Sequence, residues 1–174
     1  SGRPGRRVMV SALVHGNEYD FAPVRYLSDY WPTFEPAGVW VPAAGAPVLL
    51  TGPKSEGWAR SRSRIGAIET LAVYGAPSEP EQPGVPVASF REVAARAMPG
   101  KPLRRLGLVG WPAMTMPIYT RLQCEFPGVE LVKAEELLLD LRAVKSENEI
   151  ALMRQAYAIS EQAIDAVLGE MRPG

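Results

Sequence analysis

The sequence predicts an α/β domain, a mixed β-sheet flanked by helices, and three observations carry that expectation. Short apolar and β-branched runs alternate with segments of helical periodicity over most of the chain, which is the order of a layered α/β fold. Two of the apolar runs, residues 39–41 and 48–51, are separated by a break containing Gly45 and two prolines. Such a pair reads as a hairpin, so the sheet is mixed rather than purely parallel. Length and composition allow a proper core: the chain has 174 residues, 47% hydrophobic and 22% charged. A chain of that size buries roughly 70% of the surface its unfolded form exposes.

Residues 6–13 (RRVMVSAL) read as a buried strand, followed by a polar loop at 15–18. Residues 24–29 form a short helix opening near Pro23, since proline is tolerated in a first helical turn. After the hairpin, 56–63 is a weak helix and 68–74 (IETLAVY) a strand. Residues 76–86 hold four prolines, which cannot donate to a ladder, and form a surface loop. Residues 89–98 start with a capping-box pair, Ser89 and Glu92, and stop at Pro99-Gly100. A strand at 106–109 ends at Gly110, and a helix at 115–126 ends at Pro127-Gly128. A strand at 129–132 and a Leu-rich helix at 135–142 follow.

The last segment differs. Residues 146–171 open with a second capping box, Ser146 and Glu149, and run to Gly169 without a breaker. Ile150, Met153, Tyr157, Ile164, Val167, Leu168 and Met171 recur at helical spacing, with Glu147, Arg154, Glu161, Asp165 and Glu170 on the other face. At 1.5 Å per residue this helix is about 39 Å long. It is either a long core helix of the same domain or an element whose stripe packs on something outside it. The expected division is a domain over 1–145 and a linking helix over 146–174.

Composition narrows the chemistry. The 19 Lys and Arg cancel the 19 Asp and Glu, which speaks against a nucleic-acid binder. The single Cys124 forms no intrachain disulfide, and a small apolar role in the core is expected for it. No apolar run approaches the ~18 residues of a membrane span. No secretory h-region follows the basic start, so a cytoplasmic location is expected. There is one histidine, His15, and there are four aspartates: Asp20, Asp29, Asp140 and Asp165. That is too few for a two-metal or acid/base site, and a lone His in a Gly/Asn loop is ordinarily a surface residue. No nucleophile elbow, P-loop or complete dinucleotide-binding glycine pattern occurs.

Two local features remain. Arg60, Arg62 and Arg64 alternate; an extended chain would face all three one way as an anion-binding strip, whereas a helix would fan them into water, the commoner arrangement. Tyr30, Trp31 and Phe34 lie within five residues beside Pro32. This aromatic loop either makes binding or subunit contacts or folds under the sheet as a satellite core.

Two stretches resemble one family. Residues 141–156 (LRAVKSENEIALMRQA) are similar to the junction between the N-terminal and catalytic domains of the creatinase/prolidase/aminopeptidase P superfamily, where L-R-x-[IV]-K-S-x-x-E-I opens a long helix and an R-P-G like Arg172-Pro173-Gly174 closes it. Residues 24–30 (VRYLSDY) are similar to the family's [IV]-R-Y-L-[ST]-G-[YF], with Pro23 for the usual Asn and Asp29 for the usual Gly.

The resemblance implies a ribonuclease H-like N-terminal α/β domain of a metal-dependent hydrolase. It places the pita-bread catalytic domain, with its Asp, Asp, His, Glu, Glu ligands, beyond about Gly174. It carries no catalytic or metal-binding residue onto this chain, and no cofactor. The catalytic domain would hold two divalent ions (Mn, Co or Zn), or none in a creatinase-like parent. The implied partners are the chain's own catalytic domain, a second subunit in a homodimer, and a small peptide or small amidino or amide substrate. The loop at 30–36 would reach the neighbouring subunit's pocket, with Tyr30, Trp31 and Phe34 as contacts. A free-standing binding or dimerisation module is the alternative.

Overall fold

The computed structural model describes residues 8–12, 18–75 and 86–171. Its strands are β1 (Val8–Ala12), β2 (Ala37–Val41), β3 (Val48–Thr51), β4 (Ile68–Thr70), β5 (Arg105–Val109) and β6 (Glu130–Lys133). They form one sheet in the order β4-β3-β2-β1-β5-β6. β2 is antiparallel to β1 and β3, with Val39 opposite both Val10 and Leu49. The β1–β5, β3–β4 and β5–β6 pairs are parallel. The sheet is therefore mixed, as the hairpin requires.

Burial follows sheet position. β2, β3 and β5 are buried almost throughout, which is why they read as continuous apolar runs rather than alternating ones. The two edges are more open and charged, with Glu69 on β4 and Glu130 and Lys133 on β6. Charge on an edge discourages pairing with another sheet.

The helices are α1 (Glu18–Ser28), α2 (Glu56–Arg62), α3 (Phe90–Ala97), α4 (Met116–Glu125), α5 (Glu135–Ala143) and α6 (Glu147–Glu170). The chain divides into two compact units, residues 1–135 and 136–174. In the first, Trp40, Leu50, Phe90, Leu108, Ile118 and Leu122 meet in the core. Trp40 packs on Phe126 at 6.1 Å between ring centroids, and Tyr74 meets Phe90 edge-on at 6.0 Å. In the second, every residue of α6 from 151 onward is exposed. Among the described residues no helix is long and apolar enough to cross a membrane.

Both capping boxes form. Ser89 accepts the Glu92 N–H while Glu92 accepts the Ser89 N–H at 2.7 Å, and Ser146 and Glu149 repeat the arrangement at α6. Two elements differ from expectation. α1 begins at Glu18, not near Pro23, so the proline lies inside the helix, where its nitrogen has no hydrogen to give to the preceding turn. β4 stops at Thr70: the Leu71 N–H reaches the Thr51 carbonyl, and the chain then tightens into a single turn closed by Tyr74 N–H to Leu71 carbonyl at 3.0 Å. His15, most of the proline-rich loop (76–85) and residues 172–174 lie outside the described residues.

Candidate functional site

α1 ends on a buried serine. Ser28 Oγ donates to the Val24 carbonyl at 2.6 Å and accepts the Tyr30 N–H at 3.2 Å. Between them Asp29 takes a left-handed backbone, φ 61°, and its N–H closes on the Arg25 carbonyl at 2.7 Å. This is an αL helix stop, a position that favours glycine and tolerates Asp or Asn better than other residues. It accounts for the glycine in the sequence pattern that this segment resembles. The Asp29 carboxylate accepts from Arg64 Nε at 3.0 Å, and the Arg64 N–H donates to the Ser28 carbonyl at 2.8 Å. The end of α1 is thereby tied to the segment that follows α2.

The left-handed turn sends the chain into the aromatic loop, whose side chains split between inside and outside. Tyr30, Pro32 and Glu35 are buried; Trp31, Thr33 and Phe34 are exposed, Phe34 at 70%. The inward set docks on the end of β3. A Cβ on Gly52 would stand 2.4 Å from Glu35 Cδ and 2.5 Å from the Tyr74 carbonyl oxygen, so only glycine permits this approach. Burial raises the Tyr30 phenol above its ordinary pKa; contact with Ser55 offsets part of this, and the nearby Glu35 charge adds to it. The Tyr30 phenol and the Glu35 side chain are thus buried near one another, at the two ends of the loop.

Outside, each of two tryptophans carries an arginine. The Arg25 guanidinium lies 4.7 Å from the Trp31 ring, and Arg62 lies 4.5 Å from Trp58, one helical turn away on α2. The spacing of Trp58 and Arg62 was readable in the sequence as an i,i+4 pair. That of Arg25 and Trp31 was not, because a left-handed turn intervenes.

Two expectations are corrected and one open choice is decided. Tyr30 is fully buried, so it has no face for a substrate; the outward pair is Trp31 and Phe34. Arg60, Arg62 and Arg64 do not make an extended strip, because residues 56–62 are helical. Arg60 bonds Glu56 at 2.6 Å, Arg62 covers Trp58 and Arg64 holds Asp29, so each turns to a different neighbour. Cys124 is exposed rather than packed inside: α4 turns Ile118 and Leu122 inward, and a residue two positions on points away from them.

The described residues do not fit a two-metal centre, since no three of their His, Cys, Asp or Glu side chains converge. No hydrolytic step is therefore assigned to them. A cleft of about 230 Å³ opens between the turn at 71–73, the start of α3 with the residues leading into it, and the end of α4. Its carboxylates are already engaged: Glu92 caps α3, and Glu125 accepts the Arg91 N–H at 2.9 Å.

Comparison with known proteins places these features. The Creatinase/Prolidase N-terminal domain profile matches residues 9–144. Among solved structures, the prolidase from Pyrococcus horikoshii OT3 superposes with a TM-score of 0.62 at 18% identity, over 96% of this chain and 39% of that one. The X-Pro aminopeptidase from Thermotoga maritima MSB8 gives 0.64 at 15% identity, over 97% and 42%. The N-terminal domain of the cytoplasmic peptidase PepQ from Mycobacterium tuberculosis H37Rv gives 0.51 at 21%, over 77% and 85%. The chain thus spans about two fifths of the length of the first two. These likenesses are of fold. No curated protein sequence matches.

Proposed function

Since the chain belongs to the creatinase/prolidase N-terminal domain family, we propose that it is the noncatalytic N-terminal domain of a metal-dependent hydrolase. The parent would cleave an Xaa-Pro peptide bond or a creatinase-like C–N bond, with the metal-bound chemistry in a catalytic domain beyond residue 174. The chain's own part is to shape the pocket and to join subunits into a homodimer in the cytoplasm. The observation that carries this reading is the profile match over residues 9–144 on a fold shared with prolidases and aminopeptidases. The exposed stripe of α6 supports it: Met153, Tyr157, Ile164 and Leu168 are all exposed, and a catalytic domain would supply their cover.

Within that reading the aromatic loop acts by contact and exclusion of water, not by proton transfer. Tyr30 and Glu35 anchor it, and Trp31 and Phe34 project to border the substrate. The test uses the protein that carries this chain together with its catalytic domain. Trp31→Ala and Phe34→Ala should each raise KM for an Xaa-Pro dipeptide about tenfold with the fold intact, roughly the worth of one desolvated aromatic contact. Unchanged kinetics in both variants would remove the loop from the pocket.

A free-standing binding module is the second reading, favoured by the 70% exposure of Phe34. It predicts a reading frame that stops at residue 174, whereas the hydrolase reading predicts one that continues through Asp, Asp, His, Glu and Glu ligands.

A further inference from the structure

A hydroxyl taken out of water costs stability unless it finds a hydrogen-bond partner, and the first unit buries three together that find none in the protein. Tyr30 Oη, Thr51 Oγ1 and Ser55 Oγ are shut off from solvent, and none makes a hydrogen bond to another described residue. All three residues are buried. Ser55 lies beside the Tyr30 phenol, without the alignment of a direct bond. The Ser55 N–H donates to the Gly52 carbonyl at 3.1 Å, which folds residue 55 back toward the end of β3, where Thr51 stands. Glu35 Oε2 is 2.5 Å from the position that a Cβ on Gly52 would take, so its carboxylate lies against the backbone between Thr51 and Ser55.

The chemistry of this corner decides what it can hold. Three hydroxyls each have a hydrogen to give and lone pairs to offer, and a carboxylate offers lone pairs in several directions. A group that both accepts and donates serves them all, and water is the smallest such group. A sodium ion does not serve. It would take the hydroxyl lone pairs and leave three buried O–H groups with no acceptor.

We propose that this corner is a binding site for one ordered water molecule, which accepts from the Tyr30 and Thr51 hydroxyls and donates to Ser55 Oγ and Glu35 Oε2. Four partners are the full complement of an internal water. The water joins both ends of the aromatic loop, Tyr30 and Glu35, to the single segment 51–55, while Trp31 and Phe34 stay outside. The loop is thus seated by a polar link as well as by the close approach at Gly52. The inference stands apart from the hydrolase reading, since it needs only this chain.

A high-resolution crystal structure of the wild-type chain tests it, together with thermal melting of two variants. The expected density is one well-ordered peak about 2.6–3.0 Å from the three hydroxyl oxygens and from Glu35 Oε2. Melting reads the same site in solution. Removing an orphaned buried hydroxyl stabilises a protein, whereas removing one that holds a water leaves that water short of a partner. Tyr30→Phe and Thr51→Val should therefore each lower Tm by about 2–4 °C. The double variant should lower it by less than the two shifts together, because both act on one water. Three results overturn the proposal. The first is no density between the four oxygens. The second is a peak at cation distances, about 2.3–2.6 Å, with a Tm higher in sodium chloride than in choline chloride, which identifies a metal ion. The third is a Tm raised by Tyr30→Phe or by Thr51→Val.

Discussion

At Gly52 the backbone passes within reach of both Glu35 and the Tyr74 carbonyl, and this single approach seats the inner half of the aromatic loop. Gly52→Ala should therefore lower stability by about 2–3 kcal/mol in urea unfolding, through overpacking against backbone that has nowhere to move. Gly57 is its contrast. It lies inside α2 with nothing within 4 Å of a Cβ, so Gly57→Ala should stabilise by about 0.5–1 kcal/mol. Asp29 tests the left-handed turn. Asp29→Gly gives up an exposed ion pair worth little but relieves the backbone, and should be neutral or stabilising by about 0.5 kcal/mol. Asp29→Ala gives up the pair and keeps the strain, so it should destabilise by about 1 kcal/mol in the same assay.

Among the elements, α3 carries the clearest pH signal. Hydrogen bonds from the Ser89 N–H and hydroxyl hold the Glu92 carboxyl below its ordinary 4.5, with a smaller contribution from Arg96. A depressed folded-state pKa adds stability that is present above 4.5 and is lost as pH falls through the lower folded value. The urea midpoint of the wild type should therefore fall with acidification below 4.5 by more than that of Ser89→Ala. The same capping boxes were among the most legible features of the sequence, because they rest on two residues three apart. The hairpin was legible for a similar reason, a Gly/Pro break between apolar runs. The true start of α1 was not, since Pro23 reads as a first-turn residue and yet lies inside the helix. The end of β4 was not, because Leu71 to Tyr74 stay apolar while the chain turns. Of the candidate site, the residue pattern left open whether the aromatic loop faces outward or folds under the sheet, and the structure divides it, with Trp31 and Phe34 exposed and Tyr30 buried. The inward turn of Tyr30 depends on the left-handed Asp29, which no local spacing reveals.

For the whole molecule, two leucines separate interior from interface. Leu108 is fully buried in the core, and Leu108→Ala should cost about 2–5 kcal/mol. Leu168 is 58% exposed on α6, and Leu168→Asp should shift stability by no more than about 0.5 kcal/mol. A severe loss there would put the α6 stripe in the chain's own core. The division of labour between this chain and a catalytic domain is tested most directly by a turnover assay of purified residues 1–174 on Xaa-Pro dipeptides and on creatine, with Mn, Co or Zn added in turn. The account predicts no turnover above a protein-free control with any of the three metals. Turnover that copurifies with the folded chain and is abolished by chelation would contradict it.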